Sequence, residues 1–184
     1  MVTRPLTTYR RKHMKKVQIL ALTIGYVLAF SYYGCKKGGA PAAEDQAARS
    51  SAYFKLPDYK GGEIDLAAYT GKPVMLMFFT EGCPYCRKAA PFIKKTSDQY
   101  ASKGLSALGI SVEDDAARAA GFAKSFGLTF PIAYKGRSVA TQYKTQGVPY
   151  IFLLTKEHIV HNVWAGYDES FDKEIIQGIE EIIK

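Results

Sequence analysis

The chain has 184 residues, of which 47% are hydrophobic and 13% aromatic. This composition is globular, so it excludes a wholly disordered chain and allows one folded domain with an appendage. The net charge is +8, but residues 1–34 contribute +6 of it and contain no acidic residue. The remaining residues are close to neutral, which excludes the basic surface that a nucleic-acid-binding protein needs.

Residues 1–34 are predicted to be a signal peptide or a membrane anchor. The basic run RRKHMKK precedes an apolar run over residues 17–30, and this is the order found in secretory signals. The apolar run is shorter than the roughly 20 residues that a bilayer-spanning helix needs. We therefore expect export, and an extracytoplasmic location for the rest of the chain.

Cys35 follows the apolar run directly. A start at Met14 would give MKKVQILALTIGYVLAFSYYGC, which resembles a bacterial lipoprotein signal ending at a lipidated cysteine, with Tyr32 where the motif usually has Leu. We predict lipidation of Cys35; an uncleaved anchor and ordinary cleavage nearby are the alternatives. Residues 35–51 are small and polar without apolar periodicity, so we expect a flexible tether to the membrane before a domain over residues 52–184.

Strand-like and helix-like segments alternate from residue 52 onward. The predicted strands are two short ones within residues 52–66, followed by 72–80, 105–112, 129–134, 150–155 and 158–166. The predicted helices cover residues 83–103, with a kink expected at Pro91, then 116–126, 137–146 and 169–184. The order predicts an α/β fold with a central mixed β-sheet flanked by helices on both faces. The continuous apolar run KPVMLMFFT is typical of a central strand.

Cys83 and Cys86 form a C-x-x-C pair, which three kinds of chemistry could use. A zinc site needs four ligands, and the remaining candidates, His158 and His161, would point to opposite faces of the predicted last strand. A purely structural disulfide would close a very short loop and stabilise the fold little.

The third possibility, a redox couple, accounts best for the residues around the pair. Cys83 is predicted to lie at a helix N-terminus, where free N–H groups favour a thiolate, and Pro84 fits the first helical position. Arg87 adds positive charge that Glu81 partly opposes. Cys86, one turn deeper, is expected to be buried. An exposed thiolate with a shielded resolving thiol is the arrangement that disulfide exchange uses.

Two motifs make residues 52–184 resemble an extracytoplasmic thioredoxin-like protein of the TlpA/ResA type, in the broader group that holds the AhpC/TSA peroxidases. The first is FKLPDYKGGEIDLAAYTGKPVMLMFFTEGCPYCRKAAPF, and the second is GVPYIFLL. Residues 105–134 are similar to the strand-helix insertion of this group. The resemblance implies a thioredoxin-like fold, catalytic Cys83 and Cys86, active-site support from Pro84, Tyr85, Val148 and Pro149, and a cis peptide bond before Pro149. It implies no cofactor beyond a redox-active Cys83–Cys86 disulfide, and no metal.

Three positions depart from the pattern of the resembled proteins. Thioredoxins carry a buried acid where this chain has Met77, and ResA-like proteins carry a glutamate where it has Ala89. Either acid would help to deprotonate the deeper thiol. Gly82 stands where a tryptophan usually precedes the first cysteine. How Cys86 loses its proton is therefore an open question at this stage.

The resemblance implies a thiol-disulfide oxidoreductase that reduces disulfides of exported proteins, apocytochrome c being one candidate, with a membrane dithiol protein as electron donor. A peroxiredoxin-like thiol peroxidase is an alternative, because Thr80 and Cys83 echo the T-x-x-C of that class, although Leu76 replaces its proline. A copper chaperone of the SCO type, using the thiols and His161, is another, although its cysteines are spaced C-x-x-x-C. Arg118 and Arg137 are expected to be solvated helix charges.

Overall fold

A computed structural model of the chain describes residues 52–184. The predicted signal or anchor, the tether and Cys35 therefore lie outside the described residues. The strands are β1 (Lys55–Pro57), β2 (Glu63–Asp65), β3 (Val74–Phe79), β4 (Ser106–Ser111), β5 (Ile132–Ala133), β6 (Tyr150–Leu154) and β7 (Val160–Ala165). The α-helices are α1 (Pro84–Ala101), α2 (Ala116–Phe126), α3 (Arg137–Gln142) and α4 (Asp172–Ile182), with short 3-10 helices at Leu66–Tyr69 and Glu169–Phe171.

Five of the strands form one mixed sheet in the order β5-β4-β3-β6-β7. Strand β3 is central, and it pairs in parallel with β4 and antiparallel with β6. Strand β5 pairs in parallel with β4, and β7 pairs antiparallel with β6. Strands β1 and β2 make a separate antiparallel hairpin. The predicted central mixed sheet is confirmed.

Both faces of β3 are buried, which explains its unbroken apolar sequence. Met75, Met77 and Phe79 point to a core shared with α1, α2 and α4. The residues between them point to a second core, shared with the β1–β2 hairpin and α3. The sheet is thus covered on both faces, and the last residues of β3, Phe78 and Phe79, pack into a core on either side.

Two predicted elements are clearly longer than the observed ones. The strand predicted over residues 129–134 is reduced to the two residues of β5. Helix α3 ends at Gln142 rather than near residue 146, since Lys144 adopts a left-handed backbone with φ of 57°. Helix α1 runs as one helix through Pro91, in agreement with the helix predicted over residues 83–103.

Candidate active site

The C-x-x-C pair lies where the central strand passes into a helix. Strand β3 ends at Phe79, a short connection follows, and Cys83 is the N-cap residue of α1 with Pro84 in the first turn. The proline is favoured there because the first helical N–H groups have no partner within the helix. The sheet and α1 together fix the position of both cysteines.

The Cys83 sulfur is in contact with two backbone groups. The backbone N–H of Cys86 donates to Cys83 Sγ at 3.1 Å, and Cys83 Sγ lies 3.5 Å from the Val148 carbonyl oxygen. A free N–H at a helix N-terminus interacts favourably with negative charge, so this group is placed to stabilise the charge that the sulfur carries when it attacks a disulfide. Cys83 is partly exposed, which leaves its sulfur accessible to another sulfur.

Cys86 lies behind Cys83 and is fully buried, in agreement with its predicted depth. Burial raises the pKa of its thiol well above the usual value, and the interaction with Cys83 adds to the effect. A backbone hydrogen bond with Thr80 acts in the opposite direction but is weaker. Both cysteines are free thiols in this structure.

Apolar side chains occupy the two positions near Cys86 at which the resembled proteins carry an acid. Met77 is 2% exposed and Ala89 is fully buried, and both belong to the apolar core that contains Cys86. The thiol therefore lies in an environment that disfavours its ionisation and offers no carboxylate as proton acceptor at these two positions.

The loop before β6 faces the cysteines. The peptide bond between Val148 and Pro149 is cis, and the Pro149 carbonyl accepts a hydrogen bond from the N–H of Gly166 at 2.8 Å. Val148 packs against both apolar cores. Its carbonyl is the group that contacts Cys83, so the structure brings Cys83, Cys86 and Val148 together, with Pro149 next in the chain.

Both residues between the cysteines are exposed and lie in the first turn of α1. Pro84 belongs to the first turn of α1, and Tyr85 is 63% exposed.

Arg118 is exposed on α2 as predicted, with 48% of its side chain accessible, but it is also paired with two carboxylates. Its Nε lies 2.7 Å from Glu113 Oε1 and 3.5 Å from Glu81 Oε2. Asp115 caps α2, since its carboxylate accepts from the N–H of Ala117 at 2.8 Å. Glu113 instead accepts from the N–H of Glu81 at 2.8 Å. Sequence reasoning missed this cluster, and its only signal was the charge of Glu81 two residues before Cys83.

His161 lies in β7, within the predicted last strand, whereas His158 does not. His158 precedes β7, in the turn after β6, where it is buried and its Nε2 lies 3.1 Å from the Tyr69 carbonyl oxygen. Burial lowers its pKa, because it disfavours the charged ring. His161 pairs with Glu181 of α4 at 3.0 Å. Among residues 52–184, no group of three or more histidine, cysteine, aspartate or glutamate side chains is arranged to hold a metal ion.

Comparison with known proteins identifies the family. The AhpC/TSA family matches residues 47–163, well over half of the chain. The chain belongs to the AhpC/TSA family.

Two curated relatives align with almost the whole length of this chain. The thiol-disulfide oxidoreductase ResA of Geobacillus kaustophilus is 29% identical over 167 residues, which are 90% of this chain and 91% of that protein. The ResA of Halalkalibacterium halodurans is 25% identical over 176 residues, which are 95% and 97% of the two chains. The prediction of a thioredoxin-like thiol-disulfide oxidoreductase of the ResA type is confirmed by these relatives.

Solved structures show the same fold. A Chlorobium tepidum protein described as the thiol:disulfide interchange protein DsbE aligns with a TM-score of 0.67 at 24% identity, over 72% of this chain and 94% of that one. A secreted Mycobacterium tuberculosis disulfide oxidoreductase aligns with a TM-score of 0.60 at 20% identity, over 71% and 97%. The thioredoxin-like fold is therefore confirmed. Within residues 52–184, none of the helices has the length and apolar character needed to cross a bilayer.

Proposed function

We propose that this family member is an extracytoplasmic disulfide reductase that works through the Cys83–Cys86 couple. The observation that carries the proposal is the asymmetry of the pair. The Cys83 sulfur is accessible and receives an N–H hydrogen bond of 3.1 Å, whereas Cys86 is fully buried behind it. An accessible thiolate attacks, and a shielded thiol resolves.

The first step of the reaction forms a mixed disulfide. The Cys83 thiolate attacks one sulfur of a substrate disulfide, the substrate S–S bond breaks, and the leaving substrate thiolate takes up a proton. The Val148 carbonyl lies 3.5 Å from Cys83 Sγ, and in this scheme it helps to position the backbone of the substrate beside the attacking sulfur. Tyr85, the exposed residue between the cysteines, supplies an apolar contact to it.

The second step releases the reduced product. Cys86 loses its proton, its thiolate attacks the Cys83 sulfur, and the mixed disulfide breaks to give the second substrate thiol. Two electrons and two protons have then passed to the substrate, and Cys83 and Cys86 are joined in a disulfide. A dithiol protein must reduce that disulfide before the next cycle, and a membrane dithiol protein fits this requirement. The couple needs no further cofactor.

The location rests on the sequence of residues 1–51. We place the domain outside the cytoplasm, held to a membrane by lipidated Cys35 or by the apolar run before it, with residues 35–51 as the tether. The substrates are then disulfide-bearing exported proteins, and apocytochrome c is a candidate. The named relatives support the exchange chemistry but do not specify the substrate.

The direction of exchange is tested by the reduction potential of the Cys83–Cys86 pair. The purified chain is equilibrated with glutathione and then with dithiothreitol, and the oxidised fraction is read by alkylation of free thiols. A potential near that of thioredoxin, about −270 mV, is expected for a reductase. A potential near about −120 mV would show that the couple forms disulfides instead, and the reductase proposal would then be abandoned.

A further inference from the structure

Two glutamates and one arginine meet beside the segment that leads into Cys83. Glu81, Glu113 and Arg118 are called here the Arg118 cluster. Glu113 connects its two other members, because one carboxylate oxygen lies 2.7 Å from Arg118 Nε and the other accepts from the N–H of Glu81 at 2.8 Å. Arg118 Nε also lies 3.5 Å from the Glu81 carboxylate. The connection between β4 and α2 is thus joined to the residues before α1.

The cluster contacts the backbone that carries the reactive cysteine. A Cβ atom on Gly82 would lie 3.8 Å from Arg118 Nη2, so the guanidinium occupies the space beside Gly82. The N–H of Cys83 donates to the Thr80 carbonyl at 3.3 Å, on the other side of the same segment. The Glu81 carboxylate packs so closely on α2 that a Cβ at Gly121 would overlap it. Residues 80–82 are therefore held from two sides immediately before Cys83.

The remaining charged groups near the start of α1 have other partners. The Arg87 guanidinium lies over the Phe126 ring, 5.2 Å from its centroid, and Lys88 pairs with Glu169 at 3.6 Å. The Arg118 cluster contains two carboxylates and one guanidinium, so its net charge is −1. Glu113 is the most buried of the three, with 17% of its side chain exposed, which reduces the screening of its charge by solvent.

We propose that the Arg118 cluster is a positioning device that holds residues 80–82 and, through its charge, sets the thiolate population of Cys83. The proposal rests on the proposed function, since it concerns the sulfur that attacks the substrate. The helix N-terminus stabilises the Cys83 thiolate, whereas the net negative cluster opposes it. Arg118 limits that opposition by neutralising one of the two carboxylates. The three residues act through Cys83 and do not contact the substrate disulfide in this scheme.

The test compares charge-changing variants of the full chain. Cys83 is alkylated with iodoacetamide at a series of pH values, and peptide mass mapping measures the alkylation rate. The variants are compared at the lower pH values, where the rate is proportional to the thiolate fraction of Cys83. Arg118→Gln is expected to slow alkylation roughly 3- to 10-fold, whereas Glu81→Gln and Glu113→Gln are expected to accelerate it by a similar factor. The equilibrium constant between the Cys83–Cys86 disulfide and glutathione should also shift. The shift in Arg118→Gln should be opposite in direction to the shifts in Glu81→Gln and Glu113→Gln.

Three controls separate charge from structure. Arg118→Lys keeps the positive charge and should slow alkylation by less than about twofold. Glu63→Gln removes a carboxylate from the ion pair with Lys55 on the β1–β2 hairpin and should leave the rate at that of the parent chain. In about 1 M salt the differences among the charge variants should shrink, because the Debye length falls to about 3 Å.

The proposal is overturned if all three charge variants react within about twofold of the parent chain, or if all three change in the same direction. A loss of thermal stability without opposite shifts in alkylation would show a structural role only, and would also overturn it. These outcomes differ from a failure of the proposed function. In that case the parent chain would have a potential near about −120 mV, while the relative alkylation rates of the variants would still report on the cluster.

Discussion

Cys83 and Cys86 are one helical turn apart, yet their surroundings are opposite in character. Cys83 meets a helix N–H, a backbone carbonyl and, one residue away at Gly82, the charged Arg118 cluster. Cys86 meets the apolar core that includes Met77 and Ala89. The same helix thus places one thiol in polar surroundings at the surface and the other in a medium that resists ionisation.

This difference indicates that the attack by Cys83 and the resolving attack by Cys86 depend on different physical effects. The reactivity of Cys83 depends on nearby dipoles and charges, which can be altered by surface residues. The reactivity of Cys86 depends on desolvation, which raises its pKa and which no adjacent carboxylate at positions 77 or 89 offsets. We therefore expect the resolving step to be slower than the attack at neutral pH.

Removing the resolving thiol should have the largest effect. In Cys86→Ser, the attack by Cys83 is retained but the mixed disulfide cannot be resolved, so catalytic turnover of a disulfide substrate should fall at least about 10³-fold. Intact-mass spectrometry should show one substrate adduct per chain, mapped to Cys83. The matched variant Cys83→Ser should show no adduct at Cys86. Turnover that persists in Cys86→Ser would place the resolving thiol elsewhere.

Adding an acid beside Cys86 should remove much of the contrast between the two thiols. Ala89→Glu supplies a proton acceptor one turn along α1, and a positioned general base accelerates a step by about 10²-fold or more. We expect the resolving step to be roughly 10- to 100-fold faster at pH 7, measured by single-turnover release of product. In the parent chain the rate of the resolving step should rise about tenfold per pH unit, because the thiolate fraction of Cys86 rises by that factor. In Ala89→Glu the rise should be shallower.

The control for the added volume is Ala89→Gln. Glutamine has nearly the same shape as glutamate but accepts no proton at neutral pH, and both side chains should destabilise the packed core by about 1–3 kcal/mol. Equal rates in the two variants would show that deprotonation of Cys86 does not limit the reaction.

The buried thiol should also make the reduced protein sensitive to alkali. Because burial raises the pKa of Cys86, the folded state holds this proton more tightly than the unfolded state. Its contribution to stability is complete below the unfolded value of about 8.5 and is lost as the pH rises from there toward the folded value, by up to about 1.4 kcal/mol per pH unit. Between pH 8.5 and 10, reduced parent chain should lose roughly 1.5–2 kcal/mol more than Cys86→Ala.

Chemical unfolding in the presence of a reductant measures this difference. Tyr143 and Tyr167 also have raised pKa values because of burial, but they are present in both proteins, so their contributions cancel in the comparison. Parallel stability curves for the parent chain and Cys86→Ala would contradict a raised pKa at Cys86.

Local patterns predicted the fold and the cysteine side of the site. The apolar run of β3, the C-x-x-C spacing and Pro84 each depend on neighbours within one or two turns, so the sequence shows them directly. Residues 148–149 were found only through resemblance, because their contact with Cys83 spans 65 positions in the chain. Such a contact leaves no trace in periodicity or spacing.

The Arg118 cluster and His158 could not be predicted for the same reason. The hydrogen bond between Glu113 and the Glu81 N–H joins residues 32 positions apart. The pattern of α2 predicts that Arg118 is exposed but does not name its partners. His158 was predicted to lie in a strand, but a left-handed backbone with φ of 57° ends that pattern and turns its ring toward Tyr69, 89 positions away. Charged and polar side chains thus gain partners that only the tertiary fold determines.

The smallest expected effect is at Gly121, inside α2. Gly121→Ala should gain up to about 1 kcal/mol from helix propensity. The new Cβ would displace the Glu81 carboxylate, which is the flexible end of a side chain, and an exposed ion pair contributes only about 0–1 kcal/mol. We expect a net gain of about 0.5 kcal/mol in unfolding free energy, with alkylation of Cys83 changing less than about threefold and in the same direction as in Glu81→Gln. In a Glu81→Ala background the same substitution should give the full propensity gain and leave alkylation unchanged, since no carboxylate remains to be displaced. A rate change that persists in that background would show that Gly121 acts on Cys83 through the helix backbone rather than through Glu81.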